Sequence, residues 1–228
     1  MRKWLATQKK KFDEDSNKKS YANRNWFVHK GVFQSHLKEI ASYASENGLD
    51  LLVDNYSDEM SGLGFDGLSL QFNTTFTGNM VELKEANSRI FNYHRQRGAV
   101  LQITFSGTGK VQVFLDPSTS EDSKAVHKFL LVYFTSDPKN ISTQMIDRWV
   151  KYLFAYQRVT GVLHQASFSD KCIVSYCKFK SFLMQYDTPD TKFKRYAGIY
   201  IPSVTLLITV LVFLLTVYTL ILQLTAKS

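Results

Sequence analysis

Twenty-four residues near the C-terminus, Ile199 to Leu222, run without a charge as IYIPSVTLLITVLVFLLTVYTLIL. A helix rises about 1.5 Å per residue, so this segment reaches roughly 36 Å and can cross the ~30 Å hydrocarbon core of a bilayer with some tilt. A helix buried in a globular core would be shorter and would keep a polar face. The expectation is one C-terminal transmembrane helix, 199–222, followed by a short tail, 223–228. Pro202 stands in the first turn, where its missing N–H costs least. Tyr196 and Tyr200 mark the entry, at the level where amphipathic rings favour headgroups. Lys192, Lys194 and Arg195 flank the near side and Lys227 the far side. That asymmetry keeps the N-terminal part in the cytoplasm. The start, MRKWLATQKKKF, lacks the apolar stretch of a secretory signal. The chain therefore reads as a single-pass, tail-anchored membrane protein.

Charge divides the rest. The chain carries a formal net charge of +8. The first 30 residues hold nine Lys or Arg against Asp13, Glu14 and Asp15. Thr7 to Asn25 shows no apolar periodicity, which predicts a basic flexible arm over 1–24. Residues 25–187 suffice for one cytoplasmic domain with its own core, and 188–198 form a basic juxtamembrane linker. Two cysteines, Cys172 and Cys177, read as free thiols in a reducing compartment.

Periodicity predicts the elements. Phe33, Leu37, Ile40 and Ala44 share a stripe, so a helix covers Trp26 to Asn47 and stops at Gly48. Leu51 to Val53 is a short apolar run. Leu68 to Phe76 alternates apolar and polar residues as a half-buried strand. Met80 to Arg97 reads as a second helix, with Asn79 as cap, Glu82 reaching back and Gly98 as stop. Leu101 to Phe105 and Val111 to Leu115 make a hairpin around Ser106-Gly107-Thr108-Gly109. Phe129 to Phe134 is apolar throughout, as in a central strand covered on both faces. A third helix runs from Ser142 to about Gln165, and Lys171 to Met184 reads as a last extended stretch. The expected fold is α+β: a mainly antiparallel sheet of about four to five strands packed with about three helices.

Little catalytic chemistry is visible. His29 and His36 lie seven apart, too far for two ligands of one zinc. The acidic stretch Asp50 to Asp66 matches no calcium loop, and Met60, Leu63 and Phe65 interrupt it. Gly107-Thr108-Gly109-Lys110 is a turn between strands rather than a phosphate loop, which needs a helix after it. Triplets at Asn55, Asn73 and Asn140 have the form of glycosylation sites, which a cytoplasmic domain would leave unused. No metal or cofactor is expected.

Two basic features point to polyanions. Lys9, Lys10 and Lys11 in the arm, with Trp4 and Phe12 beside them, suit an anionic lipid surface, as do Lys192, Lys194 and Arg195. Lys178 and Lys180, set among Tyr176, Phe179 and Phe182, suit single-stranded nucleic acid if they share a sheet face. Within the tail, Thr205 and Thr209 share a helix face and Thr216 lies close to it, the pattern of packed membrane helices. The leading expectation is a non-enzymatic module that binds a partner, the bilayer or a second copy of itself. Small membrane effectors of bacterial antiphage defence have this sensor-plus-tail layout, an analogy carried by no motif. The alternatives are a membrane-tethered hydrolase or nuclease using Asp54, Asp58 and Asp66 with His94, or a tethered nucleic-acid binder using the arm.

Overall fold

The computed structural model describes residues 1–56, 65–85, 88–184, 205 and 208–218. The chain divides into two compact units, Met1–Met184 and Gln185–Ser228.

The first unit is α+β. Helix α1 (Arg2–Glu46) leads into β1 (Leu51–Asn55), β2 (Phe65–Phe72), β3 (Thr75–Glu85), β4 (Ser88–Arg97), β5 (Val100–Ser106), β6 (Lys110–Asp116), β7 (Thr119–Ser120) and β8 (Leu130–Thr135). A 3₁₀ turn (Pro138–Asn140) precedes α2 (Thr143–Thr160) and α3 (Phe168–Met184). The strands form a five-stranded sheet, β1-β2-β5-β6-β8, and a three-stranded sheet, β3-β4-β7, with every pairing antiparallel.

Alternation in the sequence sets the layers. On β5 and β6, Leu101, Ile103, Phe105, Val111, Val113 and Leu115 are buried, while Gln102, Thr104, Gln112 and Phe114 are half-buried. The buried face meets the helices. Trp26 of α1 stacks on Phe105 with ring centroids 4.9 Å apart, and Trp149 of α2 packs against Tyr133 of β8. Val174 and Cys177 of α3 complete this core. Asp66 fastens α1 to β2: it accepts from Trp26 Nε1 at 2.7 Å and from Lys30 Nζ at 2.5 Å, and its side chain is 17% exposed. The β5–β6 turn touches the same helix. Gly109 has φ +82°, and a Cβ there would lie 3.1 Å from Lys19 Cα and 3.2 Å from Ala22 Cβ. Both the backbone sign and the space demand glycine.

Several expectations are corrected. Residues 2–24, expected as a flexible arm, are helical and continuous with the rest of α1. No Gly or Pro interrupts the first 30 residues. The charges also repeat at i, i+4: Lys9 with Asp13, Lys10 with Glu14, Lys11 with Asp15, Glu14 with Lys18. Such pairs support a helix by about 0.2–0.5 kcal/mol each without any apolar periodicity. Met80–Arg97, expected as a helix, is strand, with β3 and β4 pairing Met80 to Tyr93 and Glu82 to Phe91. Phe76, Val81, Ile90, Phe91 and Tyr93 are strand formers, and the Gly78-Asn79 pair marks a register shift rather than a cap. Gly98 ends no helix. It lets the Phe72 backbone approach, since a Cβ at Gly98 would meet Phe72 O at 2.4 Å.

The strand expected over Leu68–Phe76 breaks at Asn73-Thr74 into β2 and β3. Its wet face is not uniformly wet, because Ser69 is buried and accepts from the Tyr56 hydroxyl. β8 ends the sheet instead of lying at its centre. Its burial comes from α3, whose Ser181 Oγ accepts the Leu131 N–H at 3.0 Å and so satisfies an edge donor. Lys171–Met184, expected as extended, is helix α3. Ser167 and Asp170 cap it reciprocally: the Asp170 N–H donates to Ser167 Oγ and the Ser167 N–H to Asp170 Oδ2. Buried Val174, Cys177 and Ser181 then recur at helical spacing.

In the second unit, residues 208–218 are helical. Among the described residues, no helix is long and apolar enough to cross a membrane. Half of the expected span 199–222 falls outside the described residues, and the linker 188–198 and the tail 223–228 lie wholly outside them.

Candidate functional site

The acidic and histidine candidates are dispersed. Asp54 pairs in register with Ser69, three residues along β2 from Asp66, so the two carboxylates lie on opposite faces of the sheet. Asp66 holds Trp26 and Lys30, and Asp54 accepts from Gln71 Nε2 at 2.9 Å. Asp58 lies outside the described residues. His94 stands on β4 in the other sheet, with Nδ1 2.6 Å from Asp122 Oδ1. The His94 ring, and then the Thr77 hydroxyl, hold Asp122 below the usual carboxylate value. Among the described residues, no group of three His, Cys, Asp or Glu is placed to hold a metal ion.

The cysteines differ by environment. Cys172 is exposed and Cys177 is buried, both free. Burial pushes the Cys177 thiol up to about 12, so it is a packing group and not a nucleophile. The aromatic and basic residues near it do not make a sheet platform, because they lie on α3. There Lys180 Nζ sits 5.9 Å from the Tyr133 ring centroid, and burial lowers its pKa.

A cleft of about 600 Å³ opens at the C-terminal end of α2, lined by Leu49, Phe72, Phe154, Gln157, Arg158, Leu163, His164 and Gln165. Its size is in the range of small-molecule and peptide sites. Phe72 and Phe154 meet edge to face at 4.9 Å and form its apolar wall. Its rim is the segment 161–167, fixed by three clasps. Gln96 Oε1, from β4, accepts the N–H groups of Val162 at 2.6 Å and Leu163 at 3.2 Å. Arg158 donates from Nη2 to the Gln165 carbonyl and pairs through Nε with Asp170 at 3.2 Å. The cap Ser167 closes the segment onto α3. Behind the wall, Gln157 Oε1 accepts the Ala99 N–H at 2.7 Å. A rim held from both ends, with an apolar wall and one guanidinium, suits a ligand with an apolar body and a polar or anionic edge. These residues come from separate segments, so no local motif announces them; the Ser167-x-x-Asp170 cap was the one legible clue.

The hairpin β3–β4 carries a second surface. Phe76, Met80, Phe91 and Tyr93 are exposed, and Phe76 meets Tyr93 edge to face at 5.5 Å.

Lys9, Lys10 and Lys11 sit on the exposed N-terminal half of α1. Lys192, Lys194 and Arg195 lie outside the described residues. Thr205, Thr209 and Thr216 are described, and two hydroxyls bond back along the helix: Thr209 Oγ1 to the Thr205 carbonyl and Thr216 Oγ1 to the Val212 carbonyl, each at 2.8 Å.

No protein-family model, curated protein or solved structure matches this chain.

Proposed function

We propose that the protein is a single-pass, membrane-tethered binding module. In this reading residues 199–222 cross the bilayer, the Met1–Met184 domain stands in the cytoplasm, and the cleft beside α2 receives the partner or signal. One observation carries the tether. All residues of helix 208–218 are exposed, and nine of them, from Ile208 to Tyr218, are large and apolar. Leaving that surface in water forgoes stabilisation on the order of 10 kcal/mol, comparable to the net stability of a whole domain. The only other residues in the stretch, Thr209 and Thr216, satisfy their hydroxyls on their own helix. Polar groups in a bilayer must do this. The threonine methyls are then left for close helix packing, so clustering through Thr205, Thr209 and Thr216 belongs to the same proposal.

The test is alkaline extraction of cell membranes containing the full chain, beside a chain ending at Asp187. The full chain is expected in the pellet and the shortened one in the supernatant. Leu211→Lys with Leu214→Lys should abolish insertion, since each lysine at mid-membrane costs about 2.5–3.5 kcal/mol. A full chain that extracts freely, or lysines without effect, refutes the tether. Membrane potential and growth, measured with the native tail and with an unrelated anchor, separate an effector from a plain tether.

A further inference from the structure

The sector of α1 that faces the sheet is apolar again at the N-terminal end of the helix. At about 100° per residue, Ala22, Trp26, Phe33, Leu37 and Ala44 occupy one sector of the helix, and all are buried. Met1, Trp4, Leu5, Gln8 and Phe12 fall in the same sector, about 100° wide. From Arg2 to Tyr21 every side chain is exposed or, at Gln8, half-exposed; Trp4 is 59% exposed and Phe12 72%. Asp15 and Lys19 also project into this sector and interrupt it. The helix thus carries an apolar face over Ala22 to Ala44 that the domain covers, and a separate, shorter one over Met1 to Phe12 that none of the described residues covers.

Charge decides what covers it. Residues 1–20 hold Arg2, Lys3, Lys9, Lys10, Lys11, Lys18 and Lys19 against Asp13, Glu14 and Asp15. On the helical projection Arg2 and Lys9 border the apolar sector on one side, and Lys11 and Lys18 on the other. Lysines in those positions can lay their stems along an apolar surface and raise their ammonium groups to headgroups. A second copy of the same helix would bring like charge against like. Nucleic acid would satisfy the lysines and leave Met1, Trp4, Leu5 and Phe12 in water. An apolar face carrying Trp, Leu and Phe, bordered by Lys and Arg, is the pattern of a helix lying in the plane of a membrane interface.

We propose that the N-terminal half of α1 is a second membrane contact, an interfacial helix that binds anionic lipid headgroups in addition to the tail. It rests on residues remote in sequence from the tail, so the two proposals stand or fall separately. It turns a domain on a tether into one held to the lipid surface at a second point.

Of the three tryptophans, Trp26 and Trp149 are buried and Trp4 alone is exposed. Full-length protein is reconstituted in vesicles whose acyl chains carry bromine, a contact quencher, with either anionic or neutral headgroups. The expected result is quenching of the Trp4 emission in anionic vesicles only. It should vanish in Trp4→Phe, in Phe12→Glu and at high salt. In Lys9→Gln/Lys10→Gln/Lys11→Gln the bound population should fall about a hundredfold, from about 1 kcal/mol per lysine. If the tail does not insert, the protein stays in the supernatant of neutral vesicles. Co-sedimentation with anionic vesicles, and the same quenching, then still report on α1. Equal emission in anionic and neutral vesicles overturns the proposal. So does a Trp4 shift that needs no lipid and follows protein concentration, which identifies a second copy. So does a shift produced by a single-stranded oligonucleotide and absent with anionic vesicles.

Discussion

Replacing Lys30 by Met should destabilise the domain, and replacing Asp66 by Asn as well should restore much of the loss. The Lys30 and Asp66 side chains are only 10% and 17% exposed, and their charged atoms are 2.5 Å apart. Breaking a buried pair by removing one partner typically costs about 3–5 kcal/mol, because the other charge is stranded. The residual exposure here lowers that to about 2–4 kcal/mol per single change. In Lys30→Met the stranded carboxylate keeps two neutral donors, Trp26 Nε1 and the Gly67 N–H. In Asp66→Asn the stranded ammonium can lean toward water along its flexible stem, so this change should be the milder one. The double variant strands no charge and keeps an oxygen for the Trp26 indole. Urea unfolding of the full chain in neutral detergent, followed by tryptophan emission, gives the three free energies. A coupling of about 1.5 kcal/mol or more is expected. Thermal midpoints should fall by about 5–15 °C in the single variants, at roughly 2–4 °C per kcal/mol for a domain of this size. Single variants within about 0.5 kcal/mol of the parent would place the pair with exposed surface pairs. Strict additivity would show that the two groups do not act on each other. Either result refutes the role given to Asp66 as the fastener of α1.

The remaining expectations are simpler. Gly109→Ala must place a Cβ at positive φ and 3.1 Å from Lys19 Cα, which should cost about 1–3 kcal/mol in a melting experiment. Asp116 is held above its ordinary value of 3.8 by burial, against the lowering effect of Arg97. The folded state therefore keeps its proton longer than the unfolded chain, and Asp116 makes stability fall as pH rises from 3.8 through the folded value. Asp116→Asn should remove that decline from a pH series of urea midpoints. Asp170 acts in the opposite sense: the Ser167 hydroxyl, then the Ser167 N–H, hold it low. Its contribution is present above 3.8 and lost as pH falls through the folded value. Ser167→Ala should reduce it, leaving the part due to the backbone N–H, and cost about 1 kcal/mol through the lost cap. A maleimide at neutral pH should label Cys172 alone, with Cys177 labelled only on unfolding; rapid labelling of both would contradict the buried site.

The hairpin β5–β6 was legible because alternation and a glycine turn agree over a short stretch. The start of α2 was legible because Ser142 caps an apolar repeat, but its end was not: the helix stops at Thr160, and 161–165, expected as its last turn, form the rim of the cleft. Two elements were misread because local signals pointed one way and partners decided another. Asn79 and Glu82 imitate a capping box, yet β4 supplies a pairing strand and α1 already fills the core. The residues of α3 include Ile173, Val174, Tyr176, Phe179 and Phe182, which read as strand, while Ser167 with Asp170 is the signal that starts a helix. The N-terminal helix does not show in its apolar residues alone, because its charges carry part of the repeat. The acidic candidates looked like a cluster only in one dimension; strand alternation sends Asp54 and Asp66 to opposite faces. The cleft was illegible in principle, since Leu49, Phe72 and the end of α2 meet only through folding.

Gln96 belongs to the small sheet, yet its carbonyl grips the rim of the cleft. A ligand that lifts the rim must either break those two hydrogen bonds or draw β4 along with it. In the second case the exposed ring of Tyr93, three residues upstream on the same strand, would be carried with it. Linkage makes such a connection run both ways. If β4 is drawn along, a partner seated on Phe76 and Tyr93 would change the affinity of the cleft by the same factor that a ligand in the cleft would alter the partner's hold.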